Sequence, residues 1–217
     1  MRRALFCIAL CVSAQDRQTS SQQTWTFDNI DQIGGHKTTI VGKPHVIETP
    51  KGKAVEFGGA GDALFLDVHP LADAKTFTWE VIFRPDGDGR PEQRFFHMHQ
   101  NGTSNNRLLL ETRVGGGKWY LDSYAKSDVG AQALIDKTKL HPVDQWVHVA
   151  MVYDGREFRH FVNGELQGKA EVNLTPQGEG RTSIGVRINQ VDWFKGAIRL
   201  ARITRNRALE PAEFLKP

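Results

Sequence analysis

The stretch from Trp146 to Gly164 restricts this chain more than any other. Val147, Val149, Met151 and Tyr153 alternate with Trp146, His148, Ala150 and Val152, a period of two with strand-forming residues. Asp154-Gly155 is a turn signal, a second β run follows from Phe158 to Val162, and Asn163-Gly164 reverses the chain again. Two tight turns joining three strands make an antiparallel meander, with Val147, Val149 and Tyr153 expected in the core.

The same residues carry a family resemblance. The meander is similar to the signature W-x-H-V-A-x-x-Y-D-G … V-[DN]-G of laminin-G-like, concanavalin A-like jelly rolls. Phe77-Thr78-Trp79-Glu80-Val81-Ile82-Phe83-Arg84-Pro85 resembles the family strand F-T-x-x-x-W-x-x-P, with Ile82 where Trp is usual. Thr182-Ser183-Ile184-Gly185 resembles L-x-I-G. Phe194-Lys195-Gly196-Ala197-Ile198, Ala201-Arg202-Ile203 and Asn206-Arg207-Ala208-Leu209 resemble the closing F-x-G-x-I-D-x-x-R-I-Y-N-R-A-L-S. The resemblance covers residues 23–217. It implies an all-β fold, a two-sheet antiparallel β-sandwich of concanavalin A-like jelly-roll type, and no particular activity, because this fold hosts lectins, adhesion modules, hydrolases and lyases.

Residues 1–14 read as a signal peptide: Arg2-Arg3, then apolar Ala4 to Val12, then a small-residue cleavage site at Val12-Ser13-Ala14. The apolar run is too short to span a bilayer, so a secreted or periplasmic chain without a membrane span is expected. Both cysteines, Cys7 and Cys11, fall inside this leader, leaving a mature chain without disulfides that must hold together by core burial. The formal net charge is +3, of which Arg2 and Arg3 supply two units. The remaining balance of about +1, with no basic run interleaved with aromatics, gives no case for nucleic acid. Residues 15–22 are expected to be a flexible tether and 23–217 one domain. About twelve short strands, frequent turns and no long segment of 3.6 period argue for the sandwich without reference to the family. Asp128 to Asp136 fits either an edge strand or one helical turn, and Leu209 to Leu215 one helical turn. A monomer is expected.

Alternation also assigns faces. On the strand from Phe77, the residues Phe77, Trp79, Val81 and Phe83 should face the core, and Thr78, Glu80, Ile82 and Arg84 should face out. From Arg94 to His99, Phe96 and Met98 should point in, and Phe95, His97 and His99 out. Leu109, Glu111 and Arg113, then Tyr120, Asp122 and Tyr124, should face out on the next two strands. Glu80, His97, His99, Glu111, Arg113, Tyr120, Asp122 and Tyr124 are therefore expected to share one groove. Aromatic rings that pack on sugar C–H surfaces, beside carboxylates, Arg and His that bond hydroxyls, suit a glycan or polysaccharide. Arg113 is the leading ligand contact, because a guanidinium can fork to a carboxylate or to vicinal hydroxyls.

Three functional classes follow. The first is a module that binds a glycan or surface ligand without chemistry. The second is a small polysaccharide lyase, in which His97, Tyr124 and Arg113 would supply base, acid and carboxylate neutraliser. Phe96-His97-Met98-His99-Gln100 faintly resembles the Q-I-H strand of alginate lyases, but their R-x-E-L-R and Y-F-K-x-G-x-Y motifs are absent. A retaining glucanase would need two acids on one strand face, and Glu111 has none beside it on its own strand. The third class is an oligomerising module. His97-x-His99 could place two imidazoles on one face, without a clustered third ligand for zinc, so no metal site is expected. The resemblance implies a calcium at the rim of many such jelly rolls, but Arg199 stands where the family's Asp falls, so no cofactor is expected. His148 and His160 read as structural.

Overall fold

A computed structural model describes residues 21–103 and 105–217. The expected leader, with both cysteines, and residues 15–20 of the tether lie outside the described residues. In chain order the strands are β1 (Ser21–Thr26), β2 (Gln32–Ile33), β3 (His36–Lys37), β4 (Thr39–Val41), β5 (His45–Thr49), β6 (Gly52–Gly58), β7 (Ala63–Leu66), β8 (Phe77–Pro85) and β9 (Glu92–Gln100). There follow β10 (Arg107–Gly115), β11 (Lys118–Lys126), β12 (Ala131–Ile135), β13 (His141–Pro142), β14 (Val147–Tyr153), β15 (Glu157–Val162), β16 (Glu165–Glu171), β17 (Gly180–Ile184) and β18 (Lys195–Arg205). Ser21 and Gln22, expected in the tether, open β1 by pairing with Arg205 and Thr204. Within residues 128–136, Ala131–Ile135 form the edge strand β12, and Pro211–Glu213 form one 3₁₀ turn.

Sixteen of the strands form two eight-stranded sheets, and β2 pairs with β3 alone. The first runs β16-β15-β14-β8-β18-β6-β5, with β1 also on β18. The second runs β12-β11-β10-β9-β17-β7-β4, with β13 on β11. All of their pairings are antiparallel. The fold is the all-β sandwich that the alternation requires. The central meander β14–β15–β16 forms as its turns dictate. Asn163 and Gly164 both take positive φ, 49° and 83°, the backbone of a tight hairpin turn in which glycine meets no steric penalty. Asn163 Oδ1 then accepts the His148 N–H at 2.9 Å, tying the turn to β14.

The inner faces interlock through aromatic rings. Val147, Val149, Met151 and Tyr153 are buried with Phe77, Trp79, Val81 and Phe83 in one core. Phe83 of the first sheet stacks on Phe95 of the second at 4.2 Å between ring centres and meets Trp119 edge-on at 5.4 Å. Trp79 meets Phe96 edge-on at 5.0 Å. Phe95 thus points inward, against the expectation from simple alternation. The register explains it: Leu110 pairs with Phe96 but Glu111 pairs with Arg94, so Phe95 is an extra residue in a β-bulge. Two consecutive phenylalanines enter the core, and Arg94 is delivered to the outer face.

Candidate functional site on the outer face of the second sheet

Strand register places the outward side chains in rows. Glu111 lies opposite Asp122 and Arg94. Arg113 lies opposite Tyr120 and Glu92, and Leu109 opposite Tyr124 and His97. Arg107 lies opposite Lys126 and His99. Of the eight expected site residues, His97, His99, Glu111, Arg113, Tyr120, Asp122 and Tyr124 share this one face. Glu80 does not. It stands on β8, in the other sheet, because that strand pairs with β14 and β18.

The middle of the face is a closed arrangement of carboxylates and guanidiniums. Arg94 reaches Glu111 Oε1 through Nε at 2.6 Å, Glu92 Oε1 at 2.5 Å and Asp192 Oδ2 at 2.7 Å. Arg113 donates to Asp122 Oδ2 through Nε at 2.9 Å and Nη2 at 2.6 Å, and its Nη1 pairs with Glu92. Arg113 is thus forked as expected, but onto the protein's own carboxylates. Glu111 and Asp122 are only 3% and 2% exposed. Burial first, and then the neighbouring Asp122, push the Glu111 carboxyl far above its ordinary range, to about 8. A raised carboxyl beside a second carboxylate is also the pattern of a hydrolase acid, yet here two arginines shut both from solvent, and the pair serves as the floor of the face.

The accessible groups surround that floor. Tyr120 and Tyr124 are half-exposed on β11. The Arg107 guanidinium lies over the Tyr124 ring at 4.4 Å, a cation–π contact. A cleft of about 290 Å³ opens beside Tyr120, bounded by Pro91, Glu92, Arg113, Lys118 and Leu140. The connection from β17 to β18 folds over the β9 side. The Ile188 N–H donates to His97 Nδ1 at 2.9 Å, and Asp192 meets Arg94. His97 is consequently 1% exposed, and burial, then the charges of His99, Arg187 and Arg107, lower its pKa to about 2. It is a neutral imidazole.

Glu80 has a different task. It is fully buried, its Oε1 bonded to His148 Nε2 at 3.0 Å and to the Leu215 N–H at 2.8 Å, its Oε2 to Arg202 Nε at 2.5 Å. Burial works against its charge, but His148, Arg202 and the Leu215 amide together hold its pKa below the usual range. The segment after β18 lies across this face. Leu209 and Phe214 pack on Ala150, Val152 and Phe161, and the Leu209 N–H bonds Thr78 Oγ1 at 2.8 Å. The outer side of the first sheet is covered around Glu80, so this carboxylate cannot join a groove there. His160, read as structural, bonds Ser123 Oγ across the two sheets at 2.9 Å.

Alternation alone misses Arg94, Glu92, Asp192 and Arg107. The doublet Phe95-Phe96 is the signal for the first two, since two adjacent large apolar residues break a period of two. Two aspartates that could serve a rim calcium, Asp62 and Asp192, are already engaged within the chain. Both oxygens of Asp62 accept backbone N–H groups, from Lys43 and Gly58, Asp192 is paired with Arg94, and Arg199 turns its guanidinium over Trp146 at 5.7 Å. Among the described residues no three His, Cys, Asp or Glu side chains converge as a metal set, and no helix is long and apolar enough to cross a membrane.

Comparison with known structures gives the same architecture. The chain is similar to domain 4 of AbnA, a GH43 extracellular arabinanase from Geobacillus stearothermophilus, solved in complex with arabinotriose. Identity is 19% over 88% of this chain and 94% of that one, with a TM-score of 0.65. The binding domain of botulinum neurotoxin DC, solved in complex with SialylT, matches at 11% identity and a TM-score of 0.61 over 88% of this chain and 49% of that one. Trypanosoma rangeli sialidase in complex with the inhibitor DANA matches at 12% identity and 0.59, over 88% of this chain and 31% of that one. No curated protein matches. The profile of one family spans residues 57–214, from β6 to the 3₁₀ turn, and so takes in the meander, the bulged strand and the covering segment alike. With the two-sheet topology in agreement, the chain belongs to the concanavalin A-like lectin/glucanases superfamily.

Proposed function

We propose that this protein is an exported, single-domain module that binds a glycan along the outer face of β9–β11 and performs no chemistry on it. The observation that carries the reading is the pair Tyr120 and Tyr124, half-exposed on one strand face over a floor whose charges are internally matched. Four residues of strand separate them by about 13 Å, the scale of an oligosaccharide rather than a single ring. Half-exposed rings beside guanidinium and carboxylate donors and acceptors suit sugar C–H faces and hydroxyls. The arabinotriose complex of a similar domain supports the same class of ligand. Export follows from the leader expected over residues 1–14.

A lyase is less well supported, because the groups it would use are committed elsewhere. A base must reach the proton it removes, whereas His97 is buried with Nδ1 occupied and Arg113 is neutralised by Asp122 and Glu92. Titration calorimetry against arabinan, dextran, alginate and polygalacturonate tests the proposal. Binding without release of unsaturated product is expected. Tyr120→Ala and Tyr124→Ala should each weaken it about tenfold, roughly 1.4 kcal/mol, while Arg156→Ala on the other sheet leaves it unchanged. Tyrosine variants that bind like the parent, or turnover abolished by His97→Ala, would overturn it.

A further inference from the structure

We infer that the end of this face formed by Arg107, Arg181 and Arg187 receives an anionic group, so that the ligand is an acidic glycan carrying carboxylate or sulfate; this rests on the glycan reading above. Register places Arg181 opposite His99, His99 opposite Arg107, and Arg107 opposite Lys126, one row across four strands. Arg187 joins the row from the connection that covers His97. Among the described residues none of Arg107, Arg181, Arg187 and Lys126 has an acidic partner within ion-pairing distance. On the same face Arg94 and Arg113 are fully engaged by carboxylates. The contrast separates a matched half from an unmatched one.

Two buried donors on this side lack partners. Arg107 donates Nη1–H to the Asn105 carbonyl at 3.0 Å, and its Nε–H is buried with no acceptor. His97 accepts the Ile188 amide at Nδ1, so its proton sits on Nε2, which is also buried and unpaired. Burial, with the nearby Arg187 charge adding to it, lowers the Arg107 pKa, and the pKa values of both histidines of β9 are lowered, by burial and then by neighbouring positive charge. Like charges held together without a counter-ion raise the energy of the free state, and an incoming anion relieves it. Planar guanidiniums match the forked oxygens of carboxylate and sulfate. The patch ends at Tyr124, so a chain stacked on the tyrosines would extend its acidic groups into it. A sequence balance near +1 does not favour nucleic acid.

The test uses the parent protein and Arg181→Gln/Arg187→Gln, whose side chains make no hydrogen bond or ion pair that folding would miss. Ligands are polygalacturonate (carboxylate), dextran sulfate (sulfate), neutral arabinan and dextran, and single-stranded DNA, at 50 and 300 mM salt. The expected result is acidic polysaccharide bound at least about tenfold tighter than neutral at low salt, with the advantage lost in high salt and in the double variant. Equal binding of acidic and neutral chains, unaffected by the double variant, would overturn this inference and leave the glycan reading standing. Binding of no polysaccharide, or of DNA in preference to every polysaccharide, would overturn both. Acidic binding lost in the arginine variant but kept in Tyr124→Ala would sustain the anion site and sink the aromatic platform.

Discussion

Glu80 holds three donors at once, from His148, Arg202 and the Leu215 backbone, at full burial. Removing one member of such a set leaves the others buried and uncompensated, which costs about 3–5 kcal/mol. Glu80→Ala should therefore lower the unfolding free energy measured in urea by that amount while the folded fraction binds polysaccharide as before. A loss below about 1 kcal/mol would show that the three donors find other partners. Arg94 makes a parallel case on the second sheet, with Glu111, Glu92 and Asp192 all relying on it. Arg94→Ala should also destabilise the fold, and the thermal midpoint should fall more than for Lys118→Ala at the cleft rim. Neither network is legible in the sequence, for different reasons. A period of two states which face Glu80 occupies but not which sheet its strand joins. Arg94 is hidden because one bulged residue, Phe95, inverts the count for everything before it. Arg113, Glu111, Asp122 and the two tyrosines were legible because β10 and β11 pair without interruption from Arg107 to Gly115.

At the scale of elements, strands whose two faces differ announce themselves. β8, β14 and β18 are readable from residue types alone. The segment after β18 is not. Leu209 and Phe214 are two isolated apolar residues around a single 3₁₀ turn, with no period to say that they seal a sheet. Their contribution is nonetheless large, since Phe214 meets His148 at 5.4 Å and Phe161 edge-on at 5.2 Å between ring centres. Phe214→Ala removes a buried ring and leaves a cavity over β14, for which about 3–5 kcal/mol is expected. Chemical denaturation would measure it, and the variant should also show faster amide exchange at Leu215. A Phe214 variant as stable as the parent would mean that the covering segment is held by its polar bonds alone, those of Arg202 and Thr78.

For the whole molecule, buried titratable groups set where the fold is most stable. His69, His97 and His160 have pKa values lowered from 6.5 to about 4, 2 and 4, each chiefly by burial. Below pH 6.5 the unfolded chain takes up protons there and the folded chain does not, so stability falls with pH by about 1.4 kcal/mol per unit for each group. Glu111 acts in the opposite sense. Folded, it keeps its proton up to about pH 8, whereas its ordinary value is 4.5, so it opposes one of the three histidines below pH 6.5 and makes stability fall as pH rises from 6.5 to 8. A thermal midpoint that peaks near pH 6.5–7 is expected, with Glu111→Gln flattening the alkaline limb, and a midpoint still climbing at pH 8 would refute the assignment. Ser21 starts along β18, and Pro217 rests against Lys51 at the β5–β6 turn, so both ends of the described fold belong to the first sheet. The two described ends and the tyrosine-bearing face thus lie on opposite sheets, so a surface tethered at either end would leave that face open, like a palm turned outward.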